Sequence, residues 1–369
     1  MAPPALMDDL VEDVLLRFPP DDPASLVRAA LVCKSWCRIV SREGFRRRFR
    51  EFHRRPPVLG LLCNFRSKHI YDEGDVFRFV PTASFPGNRA FHHNNRRAID
   101  ARHGRVLLRG MVWDYDDLLD DEFVVWDPMT REERMLPAMR RYPDSWNAAV
   151  LCADQSGACD HLNCHRGPFL VVVVDTEAGR MFVHVYSSET GSWSEQTVPR
   201  PNKPASWLWL AELWPGVLVV NALYFMLQPR RTILKYNLST RDISVIDLPP
   251  ISYKPDVLTT TEDGRLGFAA VHKSRLYLWS REAGPERNAG WAESRVIELE
   301  KLLPADALLT SPTVVGFADG IGIVFVGTQL GVFSIDLKSQ QAKNVYDGNG
   351  CNVLPYMSFY IPGTALLVF

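Results

Sequence analysis

One phrase recurs along the chain and constrains its fold more than any other feature. It occurs as "VVWDPMT", "HVYSSET", "LKYNLST", "LYLWSRE" and "FSIDLKS", and each copy ends a β-type run in an anchor residue followed by Asp, Ser or Asn. In four of the five copies, a Thr or Ser follows four residues after the anchor. Such polar residues hydrogen-bond the backbone of a tight turn, so each copy predicts a hairpin corner.

The spacing of these corners predicts a β-propeller. The anchors lie 60, 50, 43 and 56 residues apart, and one four-stranded blade takes about 40 to 50 residues. The run "VFRFVP" at 76–81 is similar to an earlier, degenerate copy, which brings the count to six. The anchor residues are Trp126, Tyr186, Tyr236, Trp279 and Ile335.

We therefore expect residues 58–369 to form an all-β propeller with six blades. The final "SFYIPGTALLVF" at 358–369 is expected to supply a strand to the first blade, which would close the ring and leave no free sheet edge. A pair of β-sandwiches is the structural alternative, but sandwiches do not naturally repeat one corner at this interval.

The residues before the propeller have a helical pattern instead. Apolar residues recur at helical spacing from position 8 to 18, and Pro19 and Pro20 end that segment. Three further short helices are expected, the second capped by Asp22, and the last with Phe45, Phe49 and Phe52 on one stripe among arginines. The sequence predicts a tail at 1–5, a small all-α domain with a connecting helix at 6–53, and a linker at 54–57.

Composition excludes some classes of function without selecting one. The chain is 46% hydrophobic and 23% charged, as in ordinary globular proteins, and its net charge of −1 gives no overall attraction to nucleic acid. No apolar run approaches the ~18 residues of a membrane span, and carboxylates begin at Asp8, which argues against a signal peptide. Seven cysteines, an odd number, indicate reduced thiols. We expect a cytoplasmic or nuclear protein that does not contact a membrane, and the near-neutral charge disfavours nucleic acid as a partner.

The N-terminal segment from Leu6 to Phe49 resembles the F-box, a helical module of similar length. The resemblance includes the phrase "VCKSW" and the proline that ends the first helix. The one departure is Met7, where the family usually has proline. The matching residues are Leu6, Asp9, Leu10, Val14, Leu15, Pro19, Leu26, Val32, Cys33, Lys34 and Trp36.

The combination of this head with a propeller resembles the plant F-box proteins that carry an F-box-associated or kelch-like propeller. The resemblance implies a non-enzymatic substrate receptor: the head docks on a Skp-type adaptor and through it on a cullin, and the propeller holds a protein substrate destined for ubiquitination. The residues of the substrate site are not predicted.

The residues themselves favour a docking role for the head. A domain of about 50 residues cannot bury all of its apolar side chains alone, so some are expected to face a partner. A large aromatic residue is a favourable anchor in such an interface. The predicted adaptor-binding residues are Leu6, Leu10, Val14, Leu15, Phe18, Pro19, Leu26, Val32, Cys33 and Trp36.

Two groups of cysteines invite a metal interpretation. Cys33 and Cys37 are four residues apart on a helix, but no further ligands lie nearby. The stretch "CADQSGACDHLNCHRG" at 152–167 offers more ligands but lacks a CxxC knuckle, and a long loop between two strands with incidental Cys and His is the favoured interpretation. No metal or other cofactor is predicted. The weak candidates, beside Cys152, are Cys159, His161, Cys164 and His165.

The remaining clusters have ordinary structural interpretations. The basic run at 46–55 favours a helix that packs its phenylalanines on the propeller. The acidic run at 114–122 lacks the glycine of a calcium loop, and the tryptophans between 207 and 214 favour blade packing.

The search for catalytic motifs is largely negative, since the chain contains no GxSxG, HExxH, P-loop or GxGxxG phrase. Two alternatives stay open. A small-ligand binder or enzyme with a helical cap requires polar residues clustered in the central channel. A nucleic-acid-binding protein would use the basic run at 46–55, with salt-dependent affinity.

Overall fold

The structure is a computed structural model. It describes residues 7–65, 77–82, 92–93, 96–110, 122–139, 145–154, 159–194, 197–198, 209–210, 214–228, 232–249, 257–282, 290–348 and 351–362.

Four helices form the N-terminal head, as the pattern predicts. They are α1 (Asp8–Leu16), α2 (Pro23–Ala30), α3 (Lys34–Ser41) and α4 (Glu43–His53). Pro23 begins α2, where its fixed φ and missing N–H suit the first helical position. Asp22 lies at the N-cap, but its carboxylate accepts the Ser25 hydroxyl rather than a backbone N–H. In the described part of the chain, no helix is both long and apolar enough to cross a membrane.

The helices enclose a small core of their own. It extends from the inner face of α1 to the two phenylalanines of α4, and Phe359 from the far end of the chain joins it. The buried members are Val11, Leu15, Leu16, Leu26, Ala29, Ala30, Ile39, Val40, Phe45, Phe49 and Phe359.

The rest of the described chain forms six antiparallel sheets, which are the six blades of a propeller. The first contains β1 (Val58–Phe65), β2 (Phe77–Pro81) and β3 (His92–His93). The second contains β4 (Arg96–Arg102), β5 (Arg105–Gly110), β6 (Glu122–Trp126) and β7 (Glu133–Met135). The third contains β8 (Ser145–Cys152), β9 (Phe169–Glu177), β10 (Arg180–Ser187) and β11 (Ser192–Trp193).

The fourth sheet has five strands, because both of its first two strands pair with the third. They are β12 (Trp209–Leu210), β13 (Val217–Val219), β14 (Ala222–Gln228), β15 (Thr232–Asn237) and β16 (Ile243–Asp247). The fifth contains β17 (Val257–Thr260), β18 (Leu266–His272), β19 (Arg275–Arg281) and β20 (Trp291–Glu298). The sixth contains β21 (Thr313–Ala318), β22 (Ile323–Thr328), β23 (Gly331–Asp336) and β24 (Gln341–Tyr346).

The ring is closed by β25 (Cys351–Met357), which pairs with β1 and gives the first sheet its fourth strand. The innermost strand of each blade, which is β25 in the first blade, contacts those of its neighbours around the axis. The sequence-based expectation that 358–369 supplies this strand is wrong in position, since the pairing ends at Met357 and residues 358–362 are not in a strand. Residues 363–369 lie outside the described residues.

The recurring phrase forms the corner between the last two strands of four blades. In the sixth blade, Asp336 Oδ1 accepts the backbone N–H groups of Lys338 at 2.8 Å and Ser339 at 2.9 Å. In the fourth blade, Asn237 Oδ1 accepts the backbone N–H groups of Ser239 and Thr240, both at 3.0 Å. The fifth blade differs, because β19 continues through the equivalent residues to Arg281.

The head rests on one end of the propeller through an aromatic contact. The rings of Phe49 and Phe359 meet edge to face with centroids 6.3 Å apart. Leu162 and Ile361, also from the propeller, pack against the same cluster. Phe52 was expected in this contact, but its side chain is 57% exposed. Its ring instead lies edge to face against that of His53, with centroids 5.0 Å apart, at the last turn of the helix.

Candidate functional site

The first helix has apolar residues on two faces. Val11 and Leu15 are buried in the head core, whereas Leu10 is 49% and Val14 is 55% exposed. Each pair is four residues apart and therefore shares one face of the helix. Met7, at the start of the helix, is also exposed and extends the outer pair by one turn. The outer face of α1 is thus an apolar strip without a core to cover it.

The turn between α2 and α3 adds further apolar residues at the same end of the head. Leu31, Val32 and Cys33 are exposed there. The adjoining first turn of α3 is tied to the start of α1, because Ser35 Oγ donates to Asp8 Oδ1 at 3.2 Å. We call Met7, Leu10, Val14, Leu31 and Val32 the outer apolar surface of the head.

The other predicted adaptor-binding residues lie in different environments. Pro19 is exposed, and Phe18 and Trp36 are half-buried against the head core. Leu15 and Leu26 are fully buried within it, so they can shape the outer surface only from beneath. Leu6 lies outside the described residues. The helical pattern predicted that all of these residues contribute to adaptor binding, but it did not show which of them are exposed to solvent.

Two arginines of the basic helix form ion pairs. Arg48 forms an ion pair with Glu12, whose carboxylate is buried between α1 and α4. Arg47 and Glu51 pair at 3.7 Å on the exposed side. Burial lowers the pKa of Arg50 from its ordinary value. The contact of Arg48 has a structural role within the head, because it holds α4 against α1.

A cavity of about 490 Å³ lies at the end of the propeller axis next to the head. Its walls come from the first strands of several blades, from the 54–56 linker and from the loop at 160–165. Its volume falls within the range of small-molecule sites, which is about 300 to 1,000 Å³.

Charged residues gather in this cavity. Arg102 lies 3.5 Å from Asp100 and donates from Nη2 to the carbonyl of Gly216 at 2.7 Å, while its buried Nη1 has no hydrogen-bond partner. Burial raises the pKa of Asp100 and of Asp319, and Arg102 partly opposes this in both. The alternative of a small-ligand binder or enzyme requires a polar cluster of this kind in the channel. That alternative stays a prediction.

The sequence-based metal candidates are brought together in part. The ligand atoms of Cys152, Cys159, His161 and Cys164 all lie within 4.8 Å of one another. His165 is not among them, because its Nδ1 forms a 2.8 Å hydrogen bond with Asp127 Oδ2 at the corner of the second blade. From the sequence, the favoured interpretation of this stretch was a long loop in which the Cys and His residues have no common role.

Protonation in this cluster is shifted by burial. Burial, reinforced by the thiols of Cys152 and Cys159, raises the pKa of Cys164 to about 12. Burial also lowers the pKa of His161, and that of the stacked His103 falls to about 2 for the same reason. The two imidazole rings are parallel, with centroids 4.0 Å apart. These shifts favour the neutral thiol of Cys164 and the neutral imidazoles of His161 and His103.

Sequence reasoning missed two residues beside the cluster. His103 stacks on His161, and Arg105 is buried with Nη2 donating to the carbonyls of Cys164 and Gly167. Both lie in the second blade, about sixty residues before the residues that they contact. No local spacing in the sequence connects them with the loop of the third blade.

Two family models match the chain. Residues 6–48 match the F-box domain, and residues 97–363 match the family described as F-box protein AT5G49610-like, beta-propeller. The second match covers most of the propeller.

Two curated relatives come from Arabidopsis thaliana. The F-box protein At5g03970 is 24% identical over 164 residues, which is 43% of this chain and 37% of that protein. The F-box/kelch-repeat protein At3g61590 is 27% identical over 240 residues, which is 60% of this chain and 51% of that protein. The chain therefore spans no more than about half the length of either relative.

Among solved structures, TolB from Acinetobacter baumannii is 11% identical with a TM-score of 0.46, over 84% of this chain and 69% of that one. At that identity and TM-score, the match implies nothing about function.

Proposed function

The chain belongs to the F-box protein AT5G49610-like β-propeller family and carries an F-box in front of the propeller, and from this premise we propose that it is the substrate receptor of a Skp-cullin-F-box ubiquitin ligase. The head would dock on a Skp-type adaptor, and the propeller would hold a protein substrate. The transfer of ubiquitin would be performed by other subunits, so this chain would act without catalysis, in the cytoplasm or nucleus.

The outer apolar surface of the head is the observation that supports this proposal most. Leu10 and Val14 share one exposed face of α1, and the head core is already complete without them. Leaving such side chains in water costs the free energy that their burial in an interface would release, about 1.5 to 3 kcal/mol for each fully buried residue. A partner with an apolar groove would bury this strip.

The experiment is co-purification of the full chain with a Skp-type adaptor, followed by affinity measurement. Leu10→Asp and Val14→Asp should each weaken binding at least tenfold, since a loss of about 1.4 kcal/mol suffices for that factor. Trp36 is a poorer choice for substitution, because it also packs on the head core. Circular dichroism would check that the helices of both variants persist.

Phe52→Asp is the matched control, because Phe52 is an exposed apolar residue of the same head but lies on α4. It should bind the adaptor with the affinity of the unchanged chain. Equal binding by the Leu10 and Val14 variants and the unchanged chain would contradict the proposal.

A further inference from the structure

Four potential ligand atoms gather in the third blade, and two of their separations match those of a filled tetrahedral metal site. Zinc with Zn–S bonds of about 2.3 Å and a Zn–N bond of about 2.0 to 2.1 Å places two sulfurs about 3.8 Å apart, and a sulfur and a nitrogen about 3.6 Å apart. The Sγ atoms of Cys152 and Cys159 are 3.9 Å apart, and Cys164 Sγ is 3.6 Å from His161 Nδ1. All four ligand atoms lie within 4.8 Å of one another.

The backbone supports these positions from two rigid elements. Cys152 is the last residue of β8, and Cys164 begins a 3₁₀ turn at Cys164–Arg166 that leads into β9. Cys159 Sγ also accepts the backbone N–H of His161 at 3.4 Å, an arrangement that suits a thiolate ligand. The strand and the turn thus fix two of the ligands, while the loop between them supplies the other two.

A buried cation beside the cluster is an independent observation. Arg105 is buried, and its Nη1 has no hydrogen-bond partner. A buried guanidinium is costly unless a negative group compensates its charge. A Zn²⁺ ion bound by three thiolates and a neutral imidazole carries a net negative charge and would add to the compensation that Asp127 already gives.

We propose that Cys152, Cys159, His161 and Cys164 bind one structural zinc ion. Three sulfurs and one nitrogen form a complete tetrahedral set, which leaves no open position for substrate and fits a structural rather than a catalytic ion. The soft thiolates favour zinc over magnesium or calcium, which prefer oxygen ligands. Each of the three thiols releases its proton to solvent when the ion binds.

The location of the ion gives it a structural role. Leu162 lies between two of the ligands in the chain, and its side chain packs against the head core. Zinc would therefore hold in place the loop on which the F-box head rests. The assignment of the metal does not depend on the proposed ligase function.

The test is metal analysis of the tag-free full chain after gel filtration in the presence of a mild chelator. We expect elemental mass spectrometry to find about one zinc ion per chain. X-ray absorption at the zinc edge should show about three sulfurs near 2.3 Å and one nitrogen near 2.0 Å. This measurement needs no variant, so it remains decisive if substitutions prevent folding.

Cys164→Ser and Cys159→Ser should each lower the zinc content at least fivefold. His165→Gln in the same loop and Cys37→Ser in the head are the matched controls, and both should retain one equivalent. Chains without zinc, a metal shell without sulfur, iron in place of zinc, or a disulfide between Cys152 and Cys159 would each overturn the proposal. Zinc that survives both Cys→Ser substitutions would also overturn it.

Discussion

Glu12 is a charged residue on the buried face of α1. The residue is only 5% exposed, and it lies among the apolar residues that join α1 to α4. Arg48 of α4 reaches across to pair with it. A carboxylate in this position requires its partner, since a buried charge without one is strongly destabilising. Arg48, within the basic run at 46–55, thus stabilises the fold of the head.

Arg48→Met should lower the free energy of unfolding by about 1 to 3 kcal/mol, because it leaves the Glu12 carboxylate buried without its cation. Arg47→Met is the matched control on the same helix. Its partner Glu51 is exposed, so the change should stay within about 0.5 kcal/mol. Urea unfolding of both chains measures the difference. Equal stability of the two variants would show that the Glu12 pair contributes nothing.

Among the elements, the hairpin corner was predictable because its chemistry is local. Asp336 bonds residues only two and three positions later, so the phrase alone specifies the turn. The fifth position of the corner was not predicted. The backbone is left-handed there, with φ values of 65° at Arg131, 60° at Arg241 and 55° at Gln340. Arginine and glutamine do not predict this conformation, which glycine and asparagine usually adopt.

Two substitutions in one corner should change stability in opposite directions. Asp336→Ala removes the acceptor of two backbone N–H groups and should destabilise the protein by about 1 kcal/mol. Gln340→Gly relieves the left-handed residue and should stabilise it by up to about 1 kcal/mol. Thermal unfolding of the full chain would detect both. A stabilising Asp336→Ala or a destabilising Gln340→Gly would contradict this account of the turn.

Other elements depend on long-range pairing and could not be read from local pattern. Pro355 lies inside β25, although proline usually argues against a strand. It is tolerated because β25 pairs with β1 on one side only, at the inner edge of its sheet. The final "ALLVF" has a stronger β pattern, which misled the prediction. Likewise, the register of β8 decides that Cys152 meets the loop cysteines, and spacing alone did not reveal it.

At the scale of the whole molecule, the chain is a helical head seated on one end of a closed ring. The same end contains the cavity on the axis and the cysteine and histidine cluster. The order of these parts and the number of blades followed from the repeat and the helical pattern. The helical pattern also predicted that phenylalanines of α4 pack on the propeller, but not which propeller residue they meet, because Phe49 and Phe359 are more than three hundred positions apart.

The seating of the head should depend on Phe359 and not on the outer apolar surface. Phe359→Ala removes a buried ring from the contact, a type of change that costs about 3 to 5 kcal/mol in a well-packed core. The head should then detach more often, and trypsin should cleave after the exposed Arg54 at least several times faster. Adaptor binding should be retained, since Leu10 and Val14 are unchanged.

Phe52→Ala is the control, because the ring of Phe52 is exposed, and this variant should be cleaved at the rate of the unchanged chain. If Phe359→Ala is also cleaved at that rate, the aromatic contact does not hold the two domains together.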